Sequence, residues 1–303
     1  MLWRHHYYGD WLPNTYYAKT GFGYHQYVRG YSYVHAFVAD HGGLIPWIVP
    51  LVWPWVSGKN LFARRCSVVA VLLTLGVVLV GGDGLPMYRF MLPIVPLWAM
   101  LVQRMLADLL RFAGRSEVRI EATPARLVLA GLIACLVVPL ATPPGLAWQY
   151  GMYRTQKHIE VPNWKAAGEW LAENAPRDAS VACVPIGAVG YYSRLHVYDM
   201  MGLTDTHIAH KKVEIGKGMA GHEKHDGPYI LSREPTYLLL GNVQVLKMEL
   251  DPSDPTFVRP SNPEIRVRED DVFIPELFER YAKRVVRLPN GGYFHFLERR
   301  PEP

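Results

Sequence analysis

Four apolar runs, residues 44–56, 66–80, 90–102 and 127–142, follow an aromatic and polar opening and precede a half of ordinary globular patterning. Each run is short beside the ~20 residues that an α-helix needs to cross a bilayer, so length alone leaves buried core helices as a competitor. The charges between the runs separate the two readings. Lys59, Arg64 and Arg65 lie between the first and second runs, and Arg104, Arg111, Arg115, Arg119 and Arg126 between the third and fourth. The segment between the second and third carries Arg89 as its only basic residue. Such alternation is what four consecutive spans show when basic loops stay in the cytoplasm. It predicts that residues 1–42, the 81–89 loop and everything after Thr142 lie on the other face. Pro46, Pro50 and Pro54 in the first run, and Pro93 and Pro96 in the third, predict irregular or kinked helices.

Before the runs, Tyr27, Tyr31, Val34 and Val38 recur at helical spacing. Tyrosine and tryptophan favour the water–lipid boundary, so residues 26–38 read as a helix lying in the interface, with a tyrosine-rich surface loop as the alternative. After a linker at 143–153 the period changes. Residues 163–174 form an amphipathic helix that starts near Pro162 and stops before Pro176. Residues 180–185 and 196–198 read as strands around a Gly-rich turn, GAVGYYS. Residues 235–240 and 243–248 follow as strands, 274–281 as a helix, and 285–288 with 293–298 as a closing hairpin. The predicted fold is an α-helical multi-pass membrane region of about four spans over 43–148. An extracytoplasmic or interfacial segment, 1–42, precedes it, and a small extracytoplasmic α/β domain, 155–303, follows.

Composition refines this picture modestly. Over 303 residues, 50% are hydrophobic. The mean hydropathy of +0.01 would fit a soluble protein, but that average conceals the split between the apolar and polar halves. The net charge of +5 comes from scattered basic residues, with no basic stripe interleaved with aromatics, so nucleic acid is not an expected partner. Three cysteines, Cys66, Cys135 and Cys183, make no disulfide framework. The first residues lack the apolar core of a secretion signal.

Two places carry chemistry. Residues 81–97, GGDGLPMYRFMLPIVPL, set Asp83 and Arg89 between two apolar runs. Charges there cost several kcal/mol unless paired or solvated, so a shaped loop at a membrane surface is expected, with the work done on that face. The second place holds Asp205, His207, His210, His222, Glu223 and His225. The two His-x-x-His pairs have spacing that suits zinc, yet no cysteine joins them and nothing in the sequence brings the pairs together. No metal or other cofactor is therefore assigned; a divalent ion is compatible but unsupported. Contact with an acceptor or a lipid head group, or an ordinary solvated loop, are the other readings. GAVG and GGDG lack the strand–GxGxxG–helix context of a nucleotide site. Tyr191, Tyr192 and Trp164 have faces that suit sugar rings, but such residues more often serve packing.

Read in order, YYGDWLPNTYYAK (7–19), GGDGLPMYRFMLPIVPL (81–97) and GAVGYYSRLHVYDMMGLTDTHIAH (187–210) resemble the later part of bacterial membrane glycosyltransferases of the GT-C superfamily. The similarity is strongest to the arabinofuranosyltransferase and mannosyltransferase-like groups. It implies a multi-pass enzyme of the cell (inner) membrane. Such an enzyme transfers a sugar from a polyprenyl-phosphate donor to a cell-envelope acceptor on the extracytoplasmic or periplasmic face, in contact with membrane lipid. Members of the family carry further spans upstream and a catalytic carboxylate in the first extracytoplasmic loop, so this chain is expected to be a C-terminal part. Sugar transfer needs a carboxylate to take the acceptor's proton and cationic groups to hold the leaving phosphate. Arg89 and Lys19 are the expected phosphate contacts, and Asp10 and Asn14 are substrate contacts or turn residues. Asp83 is a weak candidate base, or else a partner that makes Arg89 tolerable. The catalytic residue itself is otherwise unassigned. A non-catalytic membrane-anchored protein that binds glycan or a partner is the alternative; a transporter component is disfavoured by the absence of an inverted repeat.

Overall fold

The computed structural model describes residues 1–21, 23–58, 60–115, 145–259 and 269–301. The expected fourth span, 127–142, lies outside the described residues, as do Lys59, Arg119, Arg126 and Cys135. Roughly half of the structure is helical, with a mixed sheet in the C-terminal part. The chain divides into two compact units, one of residues Met1–Gly21 with Arg154–Pro303 and one of Phe22–Tyr153. Two short helices open the first unit, α1 (Leu2–Tyr8) and α2 (Asn14–Lys19).

Among the described residues the Phe22–Tyr153 unit holds α3 (Tyr24–Asp40), α4 (Leu44–Val56), α5 (Leu61–Leu79), α6 (Ile94–Arg115) and α7 (Leu146–Thr155), the last continuing past its border. Asn60 caps α5, its side-chain oxygen accepting from Ala63 N–H at 3.1 Å. That satisfies one of the donors a helix start leaves orphaned. At the other end of α5, Gln26 donates to Leu79 O at 2.6 Å and Arg29 Nε to Gly81 O at 2.9 Å, so α3 supplies the caps. Gly30 lets the two helices touch: a Cβ there would lie 2.2 Å from Val78 O. Pro50 has no N–H to give to Pro46 O, the bond a regular helix would make. The Trp98 indole of α6 takes that carbonyl instead, at 3.0 Å. Phe37, Trp47, Trp98 and Met91 then close a buried aromatic core.

Helix α5 buries Ala63, Cys66, Ala70 and Val77 and turns Val68, Val71, Leu72 and Leu75 outward. Among the described residues it alone is long and apolar enough to cross a membrane, or it and the α3–α4 pair if those two helices, bent by 99°, count as one span. Four crossings are thus not shown. Helix α4 has 13 residues, rising about 20 Å against a hydrocarbon core of about 30 Å. Helix α6 carries Arg104 at its middle and Asp108 and Arg111 beyond it.

In the other unit, α8 (Val161–Asn174) covers the predicted 163–174. After it come β1 (Ser180–Cys183), α9 (Ile186–Ser193), β2 (His196–Asp199), α10 (Thr206–His210), α11 (Gly227–Ser232), β3 (Tyr237–Leu239), β4 (Val245–Leu246), α12 (Leu277–Arg280), β5 (Tyr281–Arg287) and β6 (Tyr293–Arg299). The expected Gly-rich turn at 187–193 is instead helical. Ile186 and Val189 fall on one face and pack toward the sheet, which outweighs the small helix penalty of Gly187 and Gly190. The predicted helix at 274–281 shortens to 277–280 because Tyr281 already begins β5.

The sheet order is β2-β1-β3-β6-β4, with β5 also paired to β6. Strands β2, β1 and β3 run parallel, and β6 is antiparallel to β3, β4 and β5. Alternate residues serve opposite faces. Val181, Cys183, Tyr237, Leu239, Phe294 and Phe296 meet α8 and α9 on one side. Ala182, Val184, Leu238, Leu240 and Leu297 pack with Ile208, Ile230 and Leu277 on the other. Both faces are covered, which makes three layers.

Candidate functional site

Each unit gathers polar residues at one place. In the Phe22–Tyr153 unit the chain turns sharply between α5 and α6. Gly81 and Gly82 take positive φ, as glycine allows, but so do Met87 (φ 73°) and Tyr88 (φ 46°). Consecutive left-handed residues with side chains are costly and persist only where surroundings over-determine them. Three bonds do so here. Met87 N–H donates to Gln149 Oε1 at 2.6 Å, Tyr88 O–H donates to Asp40 Oδ2 at 2.6 Å, and Phe90 N–H donates to Tyr33 Oη at 3.3 Å. Burial and the bond to Asp40 push the Tyr88 hydroxyl well above its ordinary pKa, so it remains a donor.

Arg89 follows at once. Its Nε and Nη2 grip both oxygens of Asp83, with Nη2–Oδ1 at 3.0 Å. The Asp83 side chain is 5% exposed and that of Arg89 46%. The bond to Asp83 raises the Arg89 pKa further, keeping a fixed, partly exposed cation. A partly exposed guanidinium fixed in this way can hold an anionic oxygen, and the Tyr88 hydroxyl separately orients the Asp40 carboxylate. Asp40 and Tyr88 are absent from the sequence-based candidates. One signal existed: an acid in the last turn of α3 opposes the helix dipole, and such local conflicts mark residues kept for another reason.

In the α/β unit, the opening segment lies against the loop that follows the carboxyl end of β2. Asn14 Nδ2 lies within donating distance of three carbonyls, Gly202 O at 2.9 Å and Leu203 O and Asp205 O at 3.2 Å. Asp10 Oδ2 is 3.2 Å from His210 Nε2, whose ring lies tilted against that of Tyr17, the centroids 4.3 Å apart. Lys19 packs its stem along Gly221. The structure thus brings Asp10, Asn14 and Lys19 together with the 205–223 candidates, although about 190 residues separate them. Asp83 and Arg89 belong to the other unit.

Most of this cluster is engaged in holding the loop. Asp205 caps α10 at Ile208 N–H and accepts Tyr229 O–H at 2.9 Å. Glu223 Oε1 accepts from Gly216 and Gly218 N–H, both at 2.7 Å. His222 Nδ1 is 3.3 Å from Ala220 O. His207 stacks on Tyr229 and reaches Asp226 at 3.1 Å, while His225 reaches Asp271 at 2.8 Å. His207, His210 and His225 therefore face different carboxylates, and among the described residues no group of three or more His, Cys, Asp or Glu is arranged to hold a metal. Burial alone would raise the Asp226 carboxyl, but hydrogen bonds from His207, Tyr229 N–H and Lys211 outweigh it and hold its pKa below the ordinary range. Asp271 is likewise pushed up by burial and brought down further by His225 and Gly227 N–H. Lys224, 6% exposed, donates to Tyr17 O at 2.8 Å and Ala209 O at 2.7 Å. Burial lowers its pKa. Asp226, Asp271 and Lys224 were not legible as partners, because each contact depends on the tertiary path of the loop.

A family model described as "Domain of unknown function (DUF8728)" matches residues 150–287. No curated protein matches the chain. No solved structure matches it either.

Proposed function

We propose that the chain is a membrane glycosyltransferase, or the C-terminal part of one, that moves a sugar from a polyprenyl-phosphate donor to a cell-envelope acceptor. The observation that carries this reading is the strained Met87–Arg89 turn. It joins a hydrogen-bonded carboxylate, Asp40, to a partly exposed guanidinium, Arg89, that Asp83 fixes in place. In this reading Arg89 binds the donor phosphate and balances the charge that builds on it as the sugar departs. Asp40 takes the acceptor hydroxyl's proton, and Asp83 positions Arg89.

A membrane setting is supported by the distribution of charge along α5. Its outward face is apolar, it is about 28 Å long at 1.5 Å per residue, and Arg64 and Arg65 stand at the end away from Asp83 and Arg89. The test is transfer of labelled sugar from a polyprenyl-phosphate donor by the full chain in membranes. Arg89→Ala and Asp40→Asn should each lower the rate at least 100-fold, in line with the loss of an oriented charge or proton acceptor. Wild-type rates in both variants would sink the assignment. The engagement of both Asp83 oxygens by Arg89 also fits a second reading, a membrane-anchored binding protein; absence of transfer by the wild-type chain would favour it.

A further inference from the structure

A groove of about 880 Å³ runs along α8 in the α/β unit, with Glu169, Glu173, Arg177, Tyr191, Tyr192 and Arg194 in its walls. A second hollow of about 600 Å³ lies on the other flank of the same helix, with Trp170 and Asn290 in its wall. Glu169 and Glu173 border both. They are one helical turn apart, so the two hollows meet over a ridge of carboxylates. None of these residues belongs to the loop cluster described above.

We propose that this double groove binds a chain of neutral sugars. The tyrosines are the first argument. Tyr191 is 77% exposed, and its ring stands at 89° to that of Tyr192, the centroids 5.1 Å apart. Lys165 Nζ lies 5.4 Å over the Tyr192 ring, so Tyr192 buttresses its neighbour, and the open face of Tyr191 suits the C–H face of a pyranose better than it suits a core. Gly168 makes the arrangement possible: a Cβ there would lie 2.8 Å from Tyr192 Cβ. Helix α9 therefore seats directly on α8 and presents both rings to the groove.

Arg194 is the second argument. It ends α9 at φ 58° and ψ 17°, the left-handed position that glycine normally fills at a helix end. An arginine held there against backbone preference, at the edge of a groove, points to use of its guanidinium.

The charges select the ligand class. Glu169 and Glu173 face Arg177, Arg194 and, in the second hollow, Lys165, which lies 3.6 Å from Glu169, so charges of both signs alternate and the groove does not favour a strongly charged polymer of either sign. It offers acceptors and donors side by side, which hydroxyl groups use in both capacities. Phosphate groups are disfavoured further in the first hollow, which lies near the C-terminal ends of α8 and α9, where helix dipoles repel anions. This site stands independently of the transferase reading.

The test is saturation-transfer NMR on the full chain in nanodiscs, with homohexamers of glucose, mannose, galactose and N-acetylglucosamine and no sugar donor. A peptide of alternating lysine and glutamate is the competing probe. At least one hexasaccharide should bind, and Tyr191→Ala should weaken it at least tenfold. Arg194→Gly should also weaken it, while raising Tm by about 2–4 °C as the backbone strain is relieved. A Tm that stays level or rises keeps the loss of binding from being ascribed to misfolding. Failure of every hexasaccharide to bind the wild-type chain overturns the proposal. So does undiminished binding in both variants, or binding of the peptide alone. Because no donor is present, the outcome does not depend on whether the chain transfers sugars.

Discussion

The Asp83–Arg89 pair offers the sharpest test, because its partners differ so much in burial. The Asp83 side chain is 5% exposed and that of Arg89 46%. Arg89→Ala removes two charge-assisted hydrogen bonds and leaves an ionised carboxylate with little access to water. Breaking a fully buried pair in this way costs about 3–5 kcal/mol. Arg89 is half exposed, so water entering its vacated place returns part of that cost, and about 2–3 kcal/mol is expected. Asp83→Ala leaves a guanidinium that rotates into solvent and rehydrates, at about 1 kcal/mol. The double variant lacks both charges and should lie near the milder single one. Unfolding of the full chain in detergent, followed by tryptophan fluorescence, gives all three values. If Asp83→Ala proves as harmful as Arg89→Ala, or if the double variant is the worst of the three, the premise of a stranded carboxylate is wrong.

Three further expectations concern packing and pH. Gly30→Ala should destabilise the Phe22–Tyr153 unit by about 2–3 kcal/mol through overpacking against the Val78 carbonyl. Gly76→Ala, on α5 with open space around it, should be neutral or stabilise by about 0.5–1 kcal/mol; equal effects in thermal unfolding would contradict the α3–α5 approach. Lys224→Met should cost about 1–3 kcal/mol in the α/β unit, since the Tyr17 and Ala209 carbonyls lose their donor, and an unchanged Tm would count against that pinning. Asp226 and Asp271 have folded pKa values below their unfolded ones, so their stabilising contribution is complete above about pH 4 and is lost as pH falls through the lowered values. Asp271→Asn should remove part of that acid sensitivity, and an unaltered acid-unfolding curve would refute the linkage.

The elements themselves were largely legible. The apolar stretches read as strands at 180–185 and 293–298 form β1 (Ser180–Cys183) and β6 (Tyr293–Arg299), and the apolar spacing at 163–174 is a helix, because those patterns follow from which side chains must leave water. The strand order was not legible, since it depends on pairings between residues as distant as Val181 and Tyr237. The stretch at 187–193 misled because its glycines suggest a turn, whereas burial of Val189 decides the outcome. Asp83 and Arg89 stood out as charges amid apolar runs. Their neighbour Asp40 did not, because its meeting with Tyr88 depends on left-handed backbone at Met87 and Tyr88, two residue types that do not announce it. Asn14 and the 205–223 loop each read as a separate motif; three carbonyls converging on one amide are visible only in space.

The Trp98 indole on the Pro46 carbonyl has a genetic consequence. Restoring an N–H at position 50, as Pro50→Ala does, gives that carbonyl a local donor and leaves the indole at position 98 without its acceptor. A smaller residue at 98 leaves the carbonyl bare unless position 50 changes too. Neither site should drift freely alone, and a history of this chain's variation should record the two positions moving as a pair.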